Sequence, residues 1–401
     1  MEPPVLLVAP AAFKGTLSPV AAATVMARAL RRLPDWHVYT FPTTDGGTGT
    51  VDCLLASDPD FQVLTCPDIV GPLPQMRVSA RILLHPTRAL AVVAACEAHG
   101  LHYLPHGFPL APLRATSYGV GQLIHHAARA LQAACSADSA ARQTPTLVVT
   151  LGGSASTDGG IGALQALGWE CRTVYNQLLT EPLGGGDLVD VWRVVPPAQC
   201  PTQGIQIRIA TDVLQPLLGA RGTARTFAPQ KGASPEEVAF LEASLGFYAH
   251  LWQRTGLIPD VTYRTEAPGS GAAGGLGFGL SMLPESQFVS GFDWFADTSG
   301  LKRVLAEASA IFAGEGRLDA TSLEGKALGH LIAESRGRPV WLFCGNIADG
   351  LALPPNIHAV SLRHHHPDPL HHPEEALEEA VTQYLPKIKA SLLGDSTAQS
   401  V

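Results

Sequence analysis

The chain is poor in charge, in aromatic rings and in paired cysteines. Asp, Glu, Lys and Arg make up 15% of its 401 residues and Phe, Trp and Tyr 6%, against 46% hydrophobic residues. Such a composition is that of a globular protein. It lacks any run of eighteen apolar residues that could span a bilayer, and a basic, apolar, small-residue leader is missing from its N-terminus. The expectation is a soluble, cytoplasmic protein with no membrane partner. A surplus of basic residues is absent as well: the net charge of −8 argues against non-specific nucleic-acid binding, which needs a basic face. The seven cysteines, Cys53, Cys66, Cys96, Cys135, Cys171, Cys200 and Cys344, stand singly with no CxxC pair. Buried reduced thiols are expected, not a disulfide frame or a zinc site.

Several catalytic signatures are missing too. No GxSxG elbow precedes a helix and no HExxH is present, which weakens a hydrolase reading. The Walker A pattern and the HRD and DFG signatures are absent, so a kinase here would be neither a P-loop enzyme nor a protein kinase.

What the chain has in abundance is glycine and proline, forty and thirty-two. They cluster between periodic segments, marking turns in an α/β chain with no internal repeat. Length favours two or three domains. Residues 146–162, TLVVTLGGSASTDGGIG, read as an apolar strand, a loop with four glycines and small hydroxyl residues, and a helix start. Backbone N–H groups in such a turn can approach an anion, and the positive end of the following helix favours negative charge. Gly152, Gly153, Gly159 and Gly160 leave the approach open, Ser154 and Ser156 can donate, and Asp158 offers a carboxylate to a metal or a reacting hydroxyl. An ordinary tight αβ turn has the same composition.

Residues 5–9 are a continuous apolar run, the mark of a buried parallel strand. They feed the loop that holds Lys14, after which Ser18 as N-cap and Pro19 open a helix to about Arg32. A second strand over 36–41 leads into TTDGGTGT, with Asp45 at the strand exit, where open α/β sheets put ligands. Residues 61–84 read as shorter strands with turns at Pro67, Pro72 and Pro74, which suggests a boundary near residue 70. A helix is predicted over 117–134, a strand over 205–211 ending in Asp212, and a helix opened by Ser234, Pro235, Glu236 and Glu237 after Gln230 and Lys231. The GSGAAGGLGFG stretch, 269–279, formally contains GxGxxG. No strand precedes it, so a hinge or a second anion-binding helix start is favoured over a nicotinamide-dinucleotide fingerprint. Residues 310–313 form a short strand running into GEGRLDATSLEGK, where Glu315, Arg317, Asp319 and Lys326 fall together. A strand over 339–345 and a helix over 373–393 follow. The RHHHPDPLHH loop is read as exposed, not metal-binding, and the tail after Gly394 as disordered.

Glycine-rich turns at strand ends, five carboxylates (Asp45, Asp158, Asp212, Glu315, Asp319) and four cations (Lys14, Lys231, Arg317, Lys326) form the inventory of phosphoryl transfer. That reaction needs donors and cations around a polyphosphate, carboxylates for magnesium, and one carboxylate to take the acceptor's proton.

The phrases APAAFKGTLS, TTDGGTGT, RATSYGVGQLI, LGGSASTDGGIGALQALG, ATDVLQPLLG, APQKGAS, GSGAAGGLG and AGEGRLDATSLEGK occur in an order that resembles the bacterial glycerate kinase family, over about residues 3–350. The resemblance implies phosphorylation of D-glycerate, typically to 2-phosphoglycerate, with ATP and magnesium. It also implies two α/β domains, one flavodoxin-like and one restriction-endonuclease-like, the middle of the chain inserted into the other. The expected boundaries are 1–70 plus 295–393 for the terminal domain and 71–294 for the inserted one, with 394–401 as tail. The implied site residues are Asp45, Asp212, Lys14 and Arg317 as catalytic groups. Gly152, Gly153, Ser154, Asp158, Lys231, Gly271 and Gly274 would bind the nucleotide, and Glu315 and Asp319 the metal. A homo-oligomer is left open. The chain departs from the family pattern at Ala11 and Ala12 (usually Asp-Ser), Thr48 and Ala94 (usually Glu), and Thr157 and Gln215 (usually Asn). These departures motivate an alternative, a degraded relative that binds a nucleotide or hydroxy acid as a sensor.

Overall fold

The computed structural model describes residues 3–33, 35–104, 110–137, 144–255, 261–323 and 326–393; the tail expected to be disordered lies outside them. The chain divides into two compact units. A terminal unit takes Met1–Asp45, Asp52–Pro59 and Phe292–Val401, and a central unit takes Gly46–Val51 and Asp60–Gly291.

The terminal unit is built on a five-stranded, all-parallel sheet in the order Ile357–Ser361, Val340–Cys344, Ala310–Ala313, Val5–Val8, His37–Thr40. Counted by appearance within the unit, from the opposite edge, the strands run 2-1-3-4-5, so the winding reverses between Val5–Val8 and Ala310–Ala313. In open α/β sheets, ligands bind beyond the carboxyl ends at such a reversal. Four residues suffice for each inner strand, because Leu6, Leu7 and Val8 and all of 310–313 are fully buried between helices on both faces. The helix Pro19–Leu30 starts as its sequence predicts, with Ser18 Oγ accepting the Ala21 N–H at 3.1 Å and Pro19 at the first position. It buries Met26 and Leu30 in a core shared with Leu377, Ala380 and Val381 of the helix Pro373–Leu393. At the rim of that contact Arg28 and Arg32 reach the two oxygens of Glu378, at 2.5 and 2.7 Å. Half-exposed, these pairs add about 1 kcal/mol or less.

The central unit has a six-stranded sheet in the order Ser286–Val289, Gln206–Ala210, Thr146–Thr150, Leu90–Ala94, Arg77–His85, Gln62–Val70. The first four are parallel and the last two antiparallel. Where the sequence suggested shorter strands, Gln62–Val70 and Arg77–His85 each run nine residues. The edge strand exposes Val63 and Leu64, and a bulge between Cys66 and Ile69 carries Asp68 at φ 58°. Both features break the alternation that would have marked one long strand. The helix Tyr118–Ala137 buries Val120, Leu123, Ile124, Ala127, Ala128 and Leu131, a 3–4 spacing, into the same core. The helix Pro235–Arg254 carries a full capping box: Ser234 Oγ accepts the Glu237 N–H at 3.2 Å and Glu237 accepts the Ser234 N–H at 2.8 Å.

The GSGAAGGLGFG stretch is preceded by the short helix Val261–Glu266, not a strand. Inside the helix Ala272–Leu280, residues Ala273, Gly274 and Gly275 have left-handed backbones. A dinucleotide fingerprint needs a strand before the first glycine, so the nicotinamide reading falls. All seven cysteines are free. No helix among the described residues is long and apolar enough to cross a membrane.

Candidate active site

In the terminal unit four loops leave the carboxyl edge of the sheet, and backbone hydrogen bonds lay them side by side. Ala11 N–H donates to Gly314 O (2.9 Å), Thr43 N–H to Pro10 O (2.8 Å), Gly345 N–H to Glu315 O and Asn346 N–H to Gly316 O (both 3.0 Å). A Cβ at Gly316 would come within 3.2 Å of the Lys14 nitrogen, so glycine there lets the Lys14 and Glu315 loops touch. Lys14, Glu315, Arg317, Asp319 and Lys326 thereby share one edge, and Asp45, exposed, leaves the neighbouring strand.

Glu315 is the unusual member. Its Oε1 is buried with no hydrogen-bond partner. Burial pushes its carboxyl above the usual range, the Ser322 hydroxyl and the charge of Lys326 draw it down, Asp319 pushes it up and Lys14 draws it down again. Asp319 caps the turn Ala320–Ser322: Oδ1 accepts from Thr321 N (3.0 Å) and Thr321 Oγ1 (2.7 Å), which holds it below the usual carboxylate range. Its Oδ2 lies 3.6 Å from Arg317 Nε, and the Arg317 side chain is 69% exposed. Two neighbouring carboxylates, one with an oxygen left without a partner, are hard oxygen donors that fit a magnesium ion.

In the central unit the 150–160 loop is built differently from the ligand turn its sequence suggests. Only Gly152 and Gly153 reach the surface, Gly153 with φ 66°. Thr150 Oγ1 donates to Gly46 O at 2.9 Å, so Gly46 and Gly47 sit against the start of this loop, and a Cβ at Gly152 would crowd Gly47 N at 2.6 Å. From Ser154 to Gly160 the loop is buried. Asp158, fully buried, accepts four hydrogen bonds: Ser117 N (2.8 Å) and Ser117 Oγ (2.7 Å) at Oδ2, Ser156 Oγ (3.1 Å) and Gly160 N (3.2 Å) at Oδ1. The helix that follows, Ile161–Ala166, is six residues long, and the anion at its start is the protein's own Asp158. This carboxylate organises the loop from within.

Lys231 and the two glycines assigned to the nucleotide also turn inward. Lys231 is 4% exposed and spends donors on Ser154 Oγ (3.0 Å) and Ser156 O (2.5 Å). Gly271 donates to Gln215 O at 3.0 Å, and Gly274, at φ 71°, accepts from Gly159 N at 3.0 Å. Cβ atoms at these glycines would collide with the carbonyls of Pro216 and Ser156. Glycine is required there for backbone to approach backbone.

Asp212 stands at the end of Gln206–Ala210, where its Oδ1 accepts Gly291 N (2.8 Å) and Ser290 Oγ (3.1 Å). A half-buried carboxylate, it is thereby fixed in orientation. Sequence reasoning missed Ser117, Ser290 and His99. His99 is fully buried, with Nδ1 3.3 Å from Ser156 Oγ and Nε2 without a partner; burial and Lys231 push it down to about 3. One signal existed, Ser117 within the RATSYG phrase; nothing distinguishes His99 from an ordinary core histidine. At the family departures, Ala94 is buried, the Thr157 hydroxyl is buried without a partner, and Thr48 is exposed 3.4 Å from His102 Nδ1.

A five-stranded parallel sheet with acids and cations at its carboxyl edge in one unit, and a mixed six-stranded sheet with a glycine-rich turn in the other, define an α/β protein. Residues 6–391 match the model of the glycerate kinase family, and the chain belongs to that family. It is 33% identical to a glycerate kinase of Haemophilus influenzae over 80% of this chain and 79% of that one. It is 30% identical to the glycerate 2-kinase of Escherichia coli over 87% of each. A crystal structure assigned as glycerate kinase 2 from Salmonella typhimurium LT2 superposes with a TM-score of 0.75 at 29% identity, over 96% of this chain and 98% of the other. Membership implies a kinase, a transferase acting on a small molecule.

Proposed function

We propose that the chain transfers the γ-phosphoryl group of ATP to a hydroxyl of D-glycerate, giving 2-phosphoglycerate, as a soluble cytoplasmic enzyme. The family match over residues 6–391 carries this reading, and the unpartnered Glu315 oxygen near Lys326 and Lys14 supports it. In the same reading the terminal unit, with its 2-1-3-4-5 strand order, is the flavodoxin-like domain and the central unit the inserted, restriction-endonuclease-like one, with the boundary before Gln62–Val70 and not near residue 70.

Each side chain has a task that its surroundings support. Glu315 and Asp319 would hold magnesium, which when bound neutralises charge on the polyphosphate. The amides of Gly152 and Gly153, the two residues of this loop that reach the surface, meet phosphate oxygens, and the Ser154 hydroxyl, held by Lys231, backs them. Asp158, Lys231, Gly271 and Gly274 keep that turn in shape from within. Asp212 takes the proton of the glycerate hydroxyl, its orientation set by Gly291 and Ser290; Asp45 is the second candidate for this role. Arg317, whose planar fork can grip both oxygens of a carboxylate, clasps glycerate, and Lys14 neutralises the transferring group.

The test is ADP release with ATP and magnesium against glycerate, tartronate, glycolate and lactate, with phosphorus NMR to locate the product's phosphate. Glycerate-dependent release is expected. A folded sample that ATP stabilises thermally but that never turns over would replace this reading with the sensor that Ala11, Ala12 and Thr48 motivate.

A further inference from the structure

The glycine-rich turn is gripped from behind by a lysine. Lys231 ends the turn Pro229–Lys231, whose geometry is set by its own N–H donating to Ala228 O (3.0 Å) and by the left-handed Gly232 (φ 88°) that follows. From this short base the side chain reaches Ser154 Oγ and Ser156 O. Those two anchors bracket Ala155 and begin one residue beyond the exposed Gly153. The charged and titratable groups that act on the ammonium are Asp158, joined to it through Ser156, and His99, which stays neutral. An ammonium in such a place loses its hydration, and it is retained only where fixed acceptors replace water. Here every replacement lies on one loop, or is reached through it.

We propose that Lys231 is a positioning residue that holds Gly152, Gly153 and Ser154 in the conformation that receives a phosphate group, without touching the ligand itself. The phosphate ligand rests on the function proposed above; the grip on the turn does not. If Lys231 only filled space in the core, a methionine of similar length would serve as well. If it positions the turn, removing its donors frees Ser154 and Ser156 together while the rest of the unit stays folded.

The experiment compares wild type with Lys231→Met and Ser154→Ala in two measurements. In the ligand-free proteins, hydrogen exchange of the amides between 151 and 160 is expected to quicken about tenfold in Lys231→Met and by less in Ser154→Ala. In turnover, Lys231→Met should raise KM for ATP about tenfold while KM for glycerate stays within about twofold and kcat falls less than about fivefold. Wild-type exchange in Lys231→Met, or equal rises in both KM values, overturns the proposal. Should Lys231→Met fail to fold, Ser154→Ala decides, and unchanged exchange in it counts against the grip. Should wild type show no glycerate phosphorylation, the function falls alone, because the exchange measurement needs no ligand.

Discussion

Two acids, one in each unit, leave parallel strands by glycine-containing loops, Asp158 fully buried and Glu315 partly so, and end in opposite conditions. Burial raises the carboxyls of both Asp158 and Glu315. Asp158 recovers that cost from four donors of its own chain; Glu315 keeps one buried oxygen with none. A carboxylate that the fold satisfies is part of the scaffold. One that the fold desolvates and leaves open is reserved for something that arrives from outside. Asp212 falls between them, with one oxygen held by Gly291 and Ser290 to fix its direction.

The largest expected effect is at Asp212. Asp212→Asn keeps the size of the side chain and removes the proton acceptor, so kcat should fall about 10²- to 10⁴-fold with the denaturation midpoint near wild type. Equal loss of stability and activity would move Asp212 into the scaffold class. Next is Glu315→Gln, for which steady-state assays across a magnesium series should show kcat lower by about 10²-fold or a raised magnesium requirement, with stability within about 0.5 kcal/mol. Asp158→Asn should do the reverse. Both of its oxygens face a backbone N–H, of Ser117 and of Gly160, so an amide must aim its own N–H at a donor. A loss of about 2–4 kcal/mol in urea unfolding is expected, with turnover per folded molecule largely kept. If the two variants exchange these outcomes, the contrast between the acids is wrong.

The last effect is a slope. Burial pushes Lys231 down to about 7 from its ordinary 10.5, so between those values the unfolded chain holds a proton that the folded one has released. Stability contributed by this group is then present above about pH 10.5, declines as pH falls, and is lost below about 7. Urea midpoints of wild type and Lys231→Met across pH 6.5–10 should show a rise in wild type that the variant lacks. Parallel profiles would show that Lys231 does not titrate in this window.

Much of the fold was legible because its signals are local. Ser18 with Pro19, and Ser234 with Glu237, announce helix starts within a few residues, and the inner parallel strands are unbroken apolar runs. The long antiparallel pair was not legible, since an edge strand with exposed Val63 and Leu64 and a bulge at Asp68 carries no clean period. The glycine-rich loops are ambiguous for a physical reason. Glycine lets a backbone approach a phosphate, and it equally lets a backbone approach another backbone, as Gly274 does at Ser156; composition does not separate the two. Which acids the chain satisfies internally depends on donors far away in sequence, such as Ser117 for Asp158, and no spacing rule reveals that pairing.

The parallel sheet that places Val5–Val8 between His37–Thr40 and Ala310–Ala313 has a consequence for how the protein is made. As the polypeptide leaves the ribosome, its first strand can pair with His37–Thr40 early but lacks its other neighbour until more than three hundred residues have been synthesised, whereas residues 60–291 hold a complete sheet of their own. Domains generally fold as units during synthesis. The last quarter or so of the coding sequence therefore completes what the first forty codons begin, and a truncated message would yield an intact central core and an amino-terminal strand–helix–strand segment without the rest of its sheet.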